Sequence, residues 1–138
     1  MTLELANGRN LANPQAWEID DALDTLDGEE NAYAILSRSE EVYLQTSGTP
    51  TKGYVLEYRE GSDLTHYQSV RDDLPIQEVR EAFTKYAMGD ESWRGMFDWK
   101  LLDLRELVRK ERIAFAWVLV PLGLIAAAAL VGRLIKTQ

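Results

Sequence analysis

Apolar positions along this chain change rhythm several times, and each rhythm predicts an element. In "NPQAWEIDDALDTLDG", residues 13–28, Ile19, Ala22, Leu23 and Leu26 fall at i, i+3, i+4 and i+7, the spacing that lines one face of an α-helix. Asn13 is the expected N-cap, Pro14 the first helical residue and Gly28 the left-handed stop. Glu18, Asp20, Asp21 and Asp24 fall on its outer face. Four short runs follow: "AYAILS" (32–37), "EVYLQTS" (41–47), "GYVLEYRE" (53–60) and "LTHYQSV" (64–70). The joints between them, "RSEE", "GTPTK" and "GSD", are rich in turn residues, which predicts antiparallel hairpins. In the third run Tyr54, Leu56 and Tyr58 alternate with Val55, Glu57 and Arg59, a pattern that predicts one buried face and one partly wet one.

"LPIQEVREAFTKYAMGD", residues 74–90, predicts a second helix. Pro75 lies in its first turn, Ile76, Val79, Phe83 and Tyr86 share a face, and Gly89 ends it. The aromatic-rich "DESWRGMFDWK" then packs a short turn or final strand onto the core, and from about Lys100 the pattern is helical again. The expected fold class is α+β: a four-stranded antiparallel meander sheet flanked by two helices, followed by a C-terminal single transmembrane helix. The expected division is a head over 1–99, a basic juxtamembrane helix or linker over 100–112, a span over 113–132 and a short tail over 133–138.

The span is "IAFAWVLVPLGLIAAAALVG", twenty residues without a charge. As a helix it rises about 30 Å, the thickness of a bilayer's hydrocarbon core. Trp117 suits the headgroup level, and Pro121 is tolerated where neighbours satisfy the freed carbonyl. Arg105, Arg109, Lys110 and Arg112 precede the span and only Arg133 and Lys136 follow it. The positive-inside rule then keeps the N-terminal head in the cytoplasm, the arrangement of a tail anchor. Gly123 and Ala127 are four apart, as are Ala128 and Gly132. That spacing permits close packing against another membrane helix, although alanines facing lipid produce the same pattern.

Charge divides the chain in the same place. Residues 1–99 carry 8 basic and 20 acidic side chains, a net of −12, whereas 100–112 carry 5 against 3. An acidic head argues against nucleic acid, whose phosphates need clustered Lys or Arg. It suits a basic protein partner, or simply solubility. There is no cysteine, which removes disulfides, thiol nucleophiles and thiolate metal sites. The N-terminus has no basic region followed by an apolar run, so no cleavable signal peptide is expected.

Candidate chemistry is sparse. "GTPTKG" lacks the ending of a phosphate loop and reads as a hairpin turn. The lone histidine, His66, alternates with Leu64 and shares its expected face; Glu57 and Glu60, three apart in a strand, point to opposite faces. Trp93, Phe97 and Trp99 read as core, with an interface as the competing reading. No cofactor, metal, small-molecule substrate or catalytic residue is expected.

The order "NPQAWEIDDALDTLDG", "VYLQTSG", "GYVLEYREG" with "HY" following, and "EVREAFTKYAMGDESW" resembles the Imm1 family of bacterial immunity proteins, over about residues 13–99. The resemblance implies a non-catalytic α+β inhibitor, with Trp17, Glu57, Tyr58, His66, Tyr67 and Trp93 on a surface that binds a protein partner. With the tail added, it implies a head tethered to the inner face of a bacterial cytoplasmic membrane. The partner is a protein, either basic or itself membrane-embedded. A membrane tail departs from the soluble form usual in such families, which keeps open a second role as an accessory subunit of a membrane complex.

Overall fold

The computed structural model describes residues 1–103. The expected span at 113–132, with Gly123, Ala127, Ala128 and Gly132, lies outside the described residues. Among the described residues no helix is long and apolar enough to cross a membrane.

Alternation begins at the second residue. Strand β1 (Thr2–Leu5) buries Leu3 and Leu5 and exposes Thr2 and Glu4. The chain turns through Asn7 and Gly8, where Gly8 has φ of 91° and the Asn7 side chain accepts from the Arg9 N–H, and returns as β2 (Asn10–Ala12). Asn13 does not cap the first helix as expected. It sits at φ of 46°, with its N–H donating to the Met1 carbonyl and its Oδ1 accepting from the N-terminal amine, so it closes the hairpin instead. Helix α1 (Ala16–Asp24) starts later, on a reciprocal cap between Gln15 and Glu18.

Strands β3 (Tyr33–Ser39), β4 (Val42–Thr49) and β5 (Gly53–Glu60) form the expected meander, and β6 (His66–Ser69) follows a single 3₁₀ turn, Asp63–Thr65. That turn takes Leu64 out of the strand and leaves it 76% exposed, so it does not share a face with His66. Helix α2 (Ile76–Met88) begins after Pro75 and ends at Gly89, whose φ of 76° is the left-handed stop. After a 3₁₀ stretch, Glu91–Met96, the final strand β7 (Trp99–Leu101) pairs with β6 where a helix was expected from about Lys100.

The sheet is therefore seven-stranded rather than four-stranded, entirely antiparallel, in the order β2-β1-β3-β4-β5-β6-β7. It runs past the expected domain boundary at residue 99. The core lies on one face: Leu3, Leu5, Ala34, Leu36, Leu44 and Leu56 from the sheet meet Ile19, Ala22 and Leu23 of α1 and Val79, Ala82 and Phe83 of α2. Both helical stripes fall where their 3.6-residue period puts them.

Candidate functional site

Side chains of successive strand residues alternate between the two faces, and in β4, β5 and β6 that alternation carries polar residues onto the face turned away from the helices. Cross-strand pairing aligns Ile35, Gln45, Glu57 and Gln68 in one row and Ser37, Tyr43, Arg59 and His66 in the next. Burial contradicts the expectation of a partly wet face. Tyr43, Gln45, Ser47, Val55, Glu57 and His66 are all buried, and Glu57 and His66 are each only 1% exposed.

Glu57 is the centre of this row. Its Oε2 accepts a hydrogen bond from the Gln45 amide and lies 3.5 Å from His66 Nε2. At that separation the imidazole is within ion-pair reach without an aligned hydrogen bond, and both of its nitrogens lack a hydrogen-bond partner among the described residues. Burial pushes the Glu57 carboxyl above its ordinary value, because the charged form loses water; His66 and the Gln45 hydrogen bond pull the other way and only partly offset it. The Tyr43 ring meets His66 edge-on, with centroids 6.0 Å apart.

The six residues implied as partner-binding divide among three places. Glu57 and His66 share the polar face, in adjacent rows. Their chain neighbours Tyr58 and Tyr67 point to the other face and stack on each other at 5.0 Å. Trp93 packs edge-on to Tyr58, also at 5.0 Å, and is 1% exposed, so it is core. Trp99 closes the cluster 4.7 Å from Tyr58, its indole N–H donating to the Arg94 carbonyl at 2.8 Å. Trp17 stands apart on α1, 66% exposed.

Helix α1 places Trp17 above three carboxylates. Asp20, Asp21 and Asp24 follow it at i+3, i+4 and i+7, so all four lie on the face opposite Ile19, Ala22 and Leu23. Elsewhere the basic side chains are largely occupied. Six of the eight in residues 1–99, namely Arg38, Arg59, Arg71, Arg80, Lys85 and Arg94, lie against a carboxylate, leaving the excess acid on the surface.

Gln45 and Tyr43 are the members of this polar face that the sequence reading did not single out. The available signal was their parity with Ser47 in a strand whose both neighbours are paired. The chain matches no family model, no curated protein and no solved structure.

Proposed function

We propose that this chain is a non-enzymatic protein-binding module of the Imm1-like immunity type. In this reading residues 113–132 hold it in a bacterial cytoplasmic membrane, with its head in the cytoplasm and a basic protein as partner. The observation that carries the binding reading is the outer face of α1. Trp17 keeps two-thirds of its surface in water beside Asp20, Asp21 and Asp24. An exposed indole contributes contact area and a cation-attracting ring face, and the Asp20 and Asp21 carboxylates add complementary charge for Lys or Arg, Asp24 being already paired with Arg80. The net of −12 over residues 1–99 extends that field and favours rapid, salt-sensitive encounter.

The test is capture of the full-length chain from native membranes in mild detergent, followed by washes of rising salt and mass spectrometry of each fraction. A basic protein released as salt screens surface charge is the expected result, since the Debye length falls from about 8 Å at 0.15 M to about 3 Å at 1 M. A monodisperse chain with no companion would overturn the proposal.

The small-residue spacing of Gly123 with Ala127 and of Ala128 with Gly132 favours a second reading, an accessory subunit docked to other membrane helices. Integral membrane proteins that stay bound through high salt would select that reading over the first.

A further inference from the structure

A cleft of about 580 Å³ lies between the β4–β5 turn and the start of α2, large enough for a small organic molecule. Its walls are fastened together by the backbone. Gly53, at φ of 85°, lets the Asp73 backbone approach closely. Tyr54 and Leu74 then exchange two N–H to carbonyl hydrogen bonds, both 2.9 Å, which pin the entry to α2 beside the turn.

Donors without an acceptor among the described residues border this cleft. Helix α2 starts after Pro75, which provides no side-chain cap. The Glu78 and Val79 N–H groups donate to the Pro75 carbonyl at 3.1 and 3.3 Å, while those of Ile76 and Gln77 stay open, as the first N–H groups of a helix do when uncapped. Lys52 stands on the facing turn. With Arg9 it makes up the basic side chains of residues 1–99 that lie against no carboxylate among the described residues. Tyr54 is 3% exposed, with its ring in the core. Its hydroxyl has no hydrogen-bond partner among the described residues. Unlike the Tyr86 hydroxyl it is not sealed from solvent, so it opens onto the cleft that Tyr54 lines. Burial pushes this phenol above its ordinary value, which keeps it protonated as a donor.

We propose that the cleft binds a small organic carboxylate, its charged end held by Lys52, the Tyr54 hydroxyl and the Ile76 and Gln77 N–H groups. Pro50, Leu74 and Pro75 offer an apolar wall to the body of the molecule. Asp24 and Asp73 also line the cleft, but each is already paired, with Arg80 and, at 3.0 Å, with Arg71. The surplus is the single charge of Lys52 plus about half a charge at the helix end. That matches a monoanion and underserves a phosphate dianion. None of these donors belongs to the outer face of α1, so the site stands whether or not a partner docks there.

The test is titration of the isotope-labelled full chain in detergent with benzoate, against sodium chloride of equal ionic strength, followed by amide resonances. Benzoate should give saturable shifts at Ile76 and Gln77, whereas chloride and the neutral isostere benzamide should not. Lys52→Gln and Tyr54→Phe should each weaken benzoate roughly fivefold, the effect of one lost hydrogen bond. Arg9→Gln removes the same charge from an exposed turn and should leave the affinity unchanged. Lys52 is exposed, so its variant reads the site without disturbing the core. Shifts reproduced by chloride or benzamide would overturn the proposal, as would full affinity in Lys52→Gln. Inorganic phosphate binding more tightly than benzoate would refute the choice of a monoanion.

Discussion

Glu57 Oε2 lies 3.5 Å from His66 Nε2, on adjacent strands, on the face of the sheet turned away from both helices. The pair places the sole histidine of the chain and a buried carboxylate in direct electrostatic contact. Stability should therefore register the protonation of Glu57. Burial raises its pKa in the folded protein above the ordinary 4.5, so between 4.5 and the higher folded value the folded state holds more protons than the unfolded chain. Stability from this group is full below 4.5 and declines as pH rises through that window. Glu57→Gln keeps an acceptor for Gln45 and removes the charge, so its stability should exceed that of the parent at pH 7 and lose the decline. Glu57→Ala strips the Gln45 amide of its partner and should cost about 1–3 kcal/mol. Urea titrations of the full chain in detergent at a series of pH values, followed by far-ultraviolet circular dichroism, measure both.

Trp93→Ala should be among the most damaging single changes. The indole is 1% exposed and is gripped by Tyr58, Tyr86 and Trp99. Truncating a buried Trp to Ala leaves a large cavity and costs about 3–5 kcal/mol. The midpoint of chemical denaturation should fall accordingly, with no change expected for the exposed Trp17.

Gly53→Ala should destabilise far more than Gly8→Ala, although both glycines have positive φ, 85° and 91°. A Cβ at Gly8 meets nothing within 4 Å, whereas at Gly53 it falls 2.6–2.8 Å from the Asp73 backbone. That backbone is held by the paired Tyr54 and Leu74 N–H and carbonyl groups, both bonds 2.9 Å, and has little freedom to retreat. Gly8→Ala should cost only the left-handed term, about 1–2 kcal/mol, and the comparison of melting midpoints separates strain from collision.

Trp17→Ala and Asp21→Asn should leave stability within about 0.5 kcal/mol of the parent, since both side chains are exposed. Loss of a central indole from an interface typically costs about 2 kcal/mol or more in binding. Retention of the captured partner after Trp17→Ala, measured by the same salt-graded elution, would remove α1 from the interface.

Much of the head was legible in the sequence because its signals are local. The stripes of Ile19, Ala22, Leu23 and of Val79, Phe83, Tyr86 need only a 3.6-residue period to be read, and Gly89 is a stop on any reading. Four strands, β3 to β6, were legible for the same reason, as short runs between turn residues. The short strands β1 and β2 were not, and β7 was legible only as one of two readings of the aromatic-rich segment, because three or four residues carry too little alternation and owe their structure to pairing with distant partners: Leu3 with Leu36, Gln68 with Lys100. Asn13 was misplaced by the same logic. Its side chain suits a helix cap, but the return of β2 to Met1 captured its hydrogen bonds first.

By itself the sequence determined the parity of each strand residue, the helical faces, the acidity of the head and the Trp17-to-Asp24 stripe, all consequences of spacing along one segment. Tertiary structure decided which of those residues meet. Glu57 and Tyr58, one bond apart in sequence, were sent to opposite sides of the sheet, and Glu57 was joined to Gln45 and His66 from other strands. Parity fixes a side chain's direction within its own strand. Its neighbours and its access to water depend on register and on whatever packs above, and those are properties of several segments at once.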